Sequence, residues 1–217
     1  MLGLSAAGWL VGLACLAVLY VSVTRGLSSY RHTPGPADLV TLVRATLTCG
    51  VAALVADSFV GDAAQAALVA LAVVALALDA VDGPIARLTG TTSAFGGKFD
   101  GEADAFLMLV LSVYVAGTVG VWVLAIGLLR YAFGAAALVL PWMRERLPYR
   151  YWRKVVTAVA GIALAVAAAG VAPTWLTTGA LLLVLATLVE SFGRDVRWLW
   201  RHRTEVAEAP VLLVGEP

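Results

Sequence analysis

Charge is what this sequence has least of. Only 13% of its 217 residues are Asp, Glu, Lys or Arg, about half the share of an ordinary soluble domain. A water-soluble fold of this size would lack the surface it needs. Cysteine and histidine are nearly absent, two of each. Cys15 and Cys49 lie inside apolar runs with no metal-ligand spacing, so they read as small core residues without redox information. His32 and His202 are lone polar-segment residues and read as solvated. A net charge of +1 leaves no basic face once the Lys and Arg residues are assigned to connectors, which excludes a nucleic-acid partner. No repeat of fixed period is found.

What the chain does have is apolar length. It is 61% hydrophobic with mean hydropathy +0.92, and several runs reach the roughly 20 residues that cross a ~30 Å hydrocarbon layer. A leading helix is predicted near 4–23, and six more near 38–56, 62–82, 99–118, 121–140, 155–171 and 174–193. The first run lacks a basic start and has the length of a full span, so it reads as a retained helix and not a signal peptide. Connectors fall at Arg25–Ala37, Asp57–Gly61, Gly83–Lys98, Gly117–Gly120, Pro141–Lys154 and Ala172–Pro173, with a polar tail from Arg194. The fold class is an all-α polytopic membrane protein.

Alternate connectors and the tail hold 13 of the 15 Lys+Arg, while the opposite connectors hold only Asp57 and Asp62. Basic residues in short loops stay in the cytoplasm. The expected topology is therefore a multi-pass cell-membrane protein with its N-terminus outside and its C-terminus inside.

The chemistry is concentrated in one stretch. It reads Asp79-Ala-Val-Asp82-Gly83-Pro-Ile-Ala86-Arg87, then eight residues, Gly96, three residues, Asp100, three residues, Asp104. Asp79 and Asp82 share one helix face at i, i+3, and Asp100 and Asp104 share another at i, i+4. The short connection brings both ends to the cytoplasmic side, so four carboxylates converge where carboxylates are expensive. With few neighbouring cations they would repel one another. A divalent cation resolves that, and an all-oxygen donor set suits Mg²⁺ or Mn²⁺. Two such ions can clamp a phosphoryl group during displacement. Gly83 allows close backbone approach to a diphosphate, and Arg87 offers a donor fork. Eight positions at fixed spacing would arise by chance with odds on the order of 10⁻⁸ to 10⁻⁷ at ordinary residue frequencies.

The stretch resembles, position for position, the CDP-alcohol phosphatidyltransferase signature D-x2-D-G-x2-A-R-x8-G-x3-D-x3-D. The resemblance implies a six-transmembrane-helix core over about 38–193, preceded by an extra N-terminal helix and connector (1–37) and followed by a polar cytoplasmic tail (194–217). It further implies a homodimer with a cavity open to the cytoplasm. Asp79, Asp82, Asp100 and Asp104 would hold two Mg²⁺ or Mn²⁺ ions, and Asp104 would also deprotonate the acceptor hydroxyl. Gly83, Ala86, Arg87 and Gly96 would line the CDP-alcohol site. The implied activity is phospholipid biosynthesis: a phosphatidyl group passes from CDP-diacylglycerol, or another CDP-alcohol, to a small or lipid alcohol, with release of CMP.

Two weaker similarities flank the motif. Leu39-Val-Thr41-Leu-Val-Arg44 resembles the family's N-x2-T-x2-R helix, with Asp38 in place of Asn, which makes Thr41 a further donor-site candidate. Arg153-Lys154-Val-Val-Thr157 resembles G-K-x2-T, with Arg153 in place of Gly. Arg130, mid-span, is costly unless it faces protein or water, and a cavity-lining role is favoured over an interhelical tether. With Arg153 and Lys154 it would receive an anionic acceptor, and Arg150 and Arg194 are further possible members of that pocket. Glu102, about 200° around its helix from Asp100, should point away from the site. Trp142, Trp152, Trp198 and Trp200 fit an interfacial belt. Two other functions compete, an intramembrane prenyltransferase and a divalent-cation transporter. The first usually has acidic clusters far apart in sequence, and the second needs acids along a continuous path.

Overall fold

The computed structural model describes residues 4–30, 35–61, 64–88, 93–145 and 151–207; the side chains of 82–87 and 204–207 lie outside that description. Among the described residues there is no strand, and the elements are α1 (Ala6–Tyr30), α2 (Pro36–Asp57), α3 (Gln65–Leu88), α4 (Ala94–Val119), α5 (Leu124–Val139), α6 (Tyr151–Ala169) and α7 (Thr174–Ala207). Short 3₁₀ turns at Val121–Val123 and Pro141–Arg144 flank α5. Six helical segments are long and apolar enough to cross a membrane, and α3 adds a shorter apolar stretch at Gln65–Val81. The chain is thus all-α and polytopic. Helices are the expected answer, since hydrocarbon offers the backbone no partner outside its own segment.

The middle of the bundle belongs to α2, which packs on α1, α3 and α4, and to α4, which also packs on α5 and α6. Leu68, Leu111, Ile126, Leu164 and Leu181 fill the space between. Lipid tails are as apolar as leucine, so close helix approach depends on small residues. At Gly127 of α5, an added Cβ would come 2.5 Å from the backbone Cα of Leu109 in α4. At Gly8 of α1 it would come 3.0 Å from the Ala53 carbonyl oxygen of α2. The Ser5 amide donates to Asp57 Oδ1 at 2.7 Å, tying the start of α1 to the end of α2. Otherwise α1 is peripheral, with Gly8 as its buried residue. Large apolar side chains such as Trp9, Leu10, Leu138 and Trp175 face outward, as a lipid-facing surface requires.

The helices outrun the apolar stretches that announce them. α1 continues from Val23 to Tyr30, with the Thr24 hydroxyl donating to the Tyr20 carbonyl at 2.9 Å. Polar side chains of this kind satisfy themselves on their own helix. α7 continues through the expected tail to Ala207, where Glu190 pairs with Arg194 one turn on. The connector predicted at 83–98 contracts at both ends, because α3 stays helical to Leu88 and α4 begins at Ala94. His202 is half-buried and has partners: it stacks on Trp198 at 4.2 Å, and its Nδ1 lies 2.8 Å from the Trp198 carbonyl. Trp142 and Trp200 meet edge to face at 5.3 Å, and Arg203 covers the Trp200 ring at 3.4 Å. His32, Arg31, Asp62, Arg146 and Arg150 lie outside the described residues.

Candidate active site

Three elements build the site. α3 carries Asp79, α4 carries Asp100 and Asp104 on one face, and α2 brings Arg44 up from behind. One carboxylate oxygen from each aspartate lies within 4.8 Å of the others. The side chains of Asp82, Gly83, Ala86 and Arg87 lie outside the described ones, although their backbone is the last stretch of α3.

Arg44 closes the N-x2-T-x2-R similarity in the sequence, which assigns it no role in the acidic cluster. Its side chain is only 2% exposed, yet it faces three acids. Nη1 donates to Asp100 Oδ1 at 2.5 Å, Nη2 lies 2.8 Å from Asp79 Oδ1 and also bonds Asp104, and Nε donates to the Ala75 carbonyl at 3.2 Å. The expectation of few neighbouring cations is therefore corrected, since the chain supplies its own. Three carboxylates against one guanidinium still leave two formal negative charges. The signal was in the sequence: a mid-span arginine is costly unless paired, the argument already applied to Arg130.

Arg44 closes the back of the cluster, and the front opens onto a cavity of about 800 Å³. Asp79, Asp100 and Asp104 stand on one wall, with Arg130, Arg153, Lys154 and Thr157 on others. Both arginines already have acidic partners: Arg130 donates to Glu102 at 2.7 Å, and Arg153 lies 3.3 Å from the buried Asp195 of α7. Arg130 thus lines the cavity and also tethers α5 to α4. Glu102 reaches a neighbouring helix, and it too borders the cavity.

Gly96 sits at the contact of α4 with α2. Thr41 is buried one turn before Arg44, its hydroxyl donating to the Ala37 carbonyl at 3.1 Å. Gly96 lies in the first turn of α4, its amide bonded to the Ser93 hydroxyl at 2.8 Å. A Cβ there would come 2.9 Å from Asp38 Oδ1 and 3.0 Å from Ser93 Oγ, so a glycine lets α4 approach α2. Asp38 is buried and its carboxylate accepts from the Gly35 amide at 2.8 Å, the one half of a capping box that a glycine cap allows.

The cluster fits a divalent cation. Its donors are all oxygens, they are mutually close, and they carry more negative charge than Arg44 balances. The family model for CDP-alcohol phosphatidyltransferase matches residues 36–199. No curated protein and no solved structure matches the chain.

Proposed function

The chain belongs to the CDP-alcohol phosphatidyltransferase family, and from that membership we propose that it transfers a phosphatidyl group from CDP-diacylglycerol to an acceptor alcohol, releasing CMP. The observation that carries this reading is the convergence of Asp79, Asp100 and Asp104 on the wall of a cavity that also holds basic side chains. The match leaves the prenyltransferase and cation-transporter alternatives without support.

In the proposed reaction the acceptor hydroxyl gives its proton to the Asp104 carboxylate. Its oxygen attacks the phosphorus that bears the lipid alkoxy group, a new P–O bond forms, and the bond to CMP breaks with its electron pair leaving on CMP. Asp79, Asp82, Asp100 and Asp104 would hold Mg²⁺ or Mn²⁺, which when bound neutralises diphosphate charge and stabilises the departing phosphate. Arg44 orients the three described carboxylates from behind, holding their oxygens toward one another. Gly83, Ala86 and Arg87 are proposed to meet the donor's cytidine diphosphate. Gly96 acts one layer back, by letting α4 approach α2 at Asp38, and Thr41 is proposed as a further donor contact.

An anionic acceptor finds Lys154 as its most available cation, since no described residue forms a salt bridge with it. Arg130 and Arg153 would have to share their guanidinium groups with Glu102 and Asp195. We further propose residues 38–193 as the catalytic core and 1–37 as an added anchor, in a homodimer whose active site faces the cytoplasm.

The decisive experiment incubates purified protein in phosphatidylcholine vesicles with CDP-diacylglycerol, Mg²⁺ and a panel of alcohols, and identifies lipid products by mass spectrometry. CMP release that depends on acceptor and stops with EDTA is expected. Acceptor-independent release, or release unaffected by EDTA, rejects the reading.

A further inference from the structure

A second cavity, of about 830 Å³, lies on the opposite face of α4 from Asp100 and Asp104. Its walls come from α1, α2 and α4, with Tyr131 of α5. All of α1 lies outside the family match, so this groove exists because the chain has an added helix. The groove runs from Ala14 to Tyr30 along α1, roughly 24 Å at 1.5 Å per residue. One leaflet of a ~30 Å hydrocarbon core is about 15 Å deep, so the groove can enclose a lipid chain for its whole length.

The lining is uneven. Toward Ala14 it is apolar, with Cys15, Cys49 and Phe106. Toward the motif end it gains Arg25 and Lys98, both exposed, and among the described residues neither enters a salt bridge. The groove's one acid, Glu102, is already bound to Arg130. An apolar slot ending in two cations with no acidic partner complements a membrane lipid whose headgroup carries net negative charge, with no cation of its own to offset the phosphate.

We propose that this groove is a binding site for an anionic phospholipid, with an acyl chain along α1 and the phosphate on Arg25 and Lys98. The lipid sits behind the helix that bears Asp100 and Asp104, and it is a resident ligand, not the donor or acceptor. The proposal stands whatever reaction the other cavity catalyses.

The test uses whole protein extracted from vesicles of equal phosphatidylglycerol and phosphatidylcholine, with retained lipids counted by native mass spectrometry. Each basic side chain near a net-negative headgroup contributes a factor of about five in affinity, a gain that the choline cation of phosphatidylcholine cancels. The wild-type chain should therefore favour phosphatidylglycerol by roughly thirty-fold, holding one per chain. Arg25→Gln alone should lose about five-fold of that preference, and Arg25→Gln with Lys98→Gln should approach parity. Ser22→Phe keeps both cations but obstructs the groove, and should release the lipid. Equal retention of both lipids by the wild-type chain overturns the proposal, as does undiminished preference in the double variant. Preference that survives Ser22→Phe would also overturn it, by assigning the effect to surface charge alone.

Discussion

At the scale of single residues, Arg44 organises the site. A buried arginine facing three carboxylates is a network in which removing one partner leaves the others exposed to mutual repulsion. The three acids are 23–35% exposed, so the full cost of a broken buried pair is screened to on the order of 2 kcal/mol. Arg44→Leu is expected to lower the unfolding midpoint in EDTA, and added Mg²⁺ should recover more of the loss than it adds to the wild-type protein. Equal Mg²⁺ increments in both would separate Arg44 from the electrostatics of the cluster. The proposed base makes a different prediction. Asp79→Asn, Asp82→Asn and Asp100→Asn should weaken cation and donor binding, whereas Asp104→Asn should retain more donor binding while turnover falls about 10²–10⁴-fold. Near-normal CMP release by Asp104→Asn would remove it from that role. The aspartates were legible because their spacing is a sequence property. Arg44 lies 56 residues from Asp100, and only the fold shows that they meet.

At the scale of helices, the closest backbone approach at a described glycine is the crossing of α4 and α5. A Cβ at Gly127 meets the backbone of Leu109 at 2.5 Å, and backbone cannot swing aside. Gly127→Ala should destabilise by about 1–3 kcal/mol through overpacking. Gly179→Ala, with nothing within 4 Å of its added methyl, should be neutral or slightly stabilising, as read from paired thermal melts in detergent. Comparable losses in both would point to backbone entropy in place of contact. The existence of every helix was legible from apolar runs, but several ends were not. Hydropathy reports where lipid stops, and α1 and α7 carry their hydrogen bonding past that point into polar sequence. The connector predicted from Gly83 starts later, because α3 continues through Gly83-Pro84 to Leu88. Proline removes one backbone bond, which a membrane helix bundle tolerates.

At the scale of the whole molecule, the proposed orientation follows from basic connectors alone and is directly measurable. With Cys15 and Cys49 replaced, a cysteine at Ser5 should react with an impermeant thiol reagent in intact cells, and one at Thr204 should not. The reverse pattern would turn the molecule over and place the aspartate cluster outside. The tie from the Ser5 amide to Asp57 sits at the expected outer face. The aspartate cluster lies against the opposite half of α2, beside Arg44.

The pairing of Arg44 also has a consequence in time. The helix that carries it is made before the helices that neutralise it, and its acids on α4 follow 56 and 60 residues later. At 5–20 residues per second that is a delay of about 3–12 s. During it, α2 carries an arginine whose insertion at a helix centre costs about 2.5–3.5 kcal/mol. Membrane integration of α2 should therefore wait for α3 and α4. Stalled chains cut before Asp79, and extended by a neutral linker that carries α2 clear of the ribosome, should integrate α2 less completely than chains that expose residues through Asp104, and Arg44→Leu should abolish the difference. Glycosylation mapping of the stalled chains would read this, and equal integration at both lengths would show that α2 enters the bilayer without its partners.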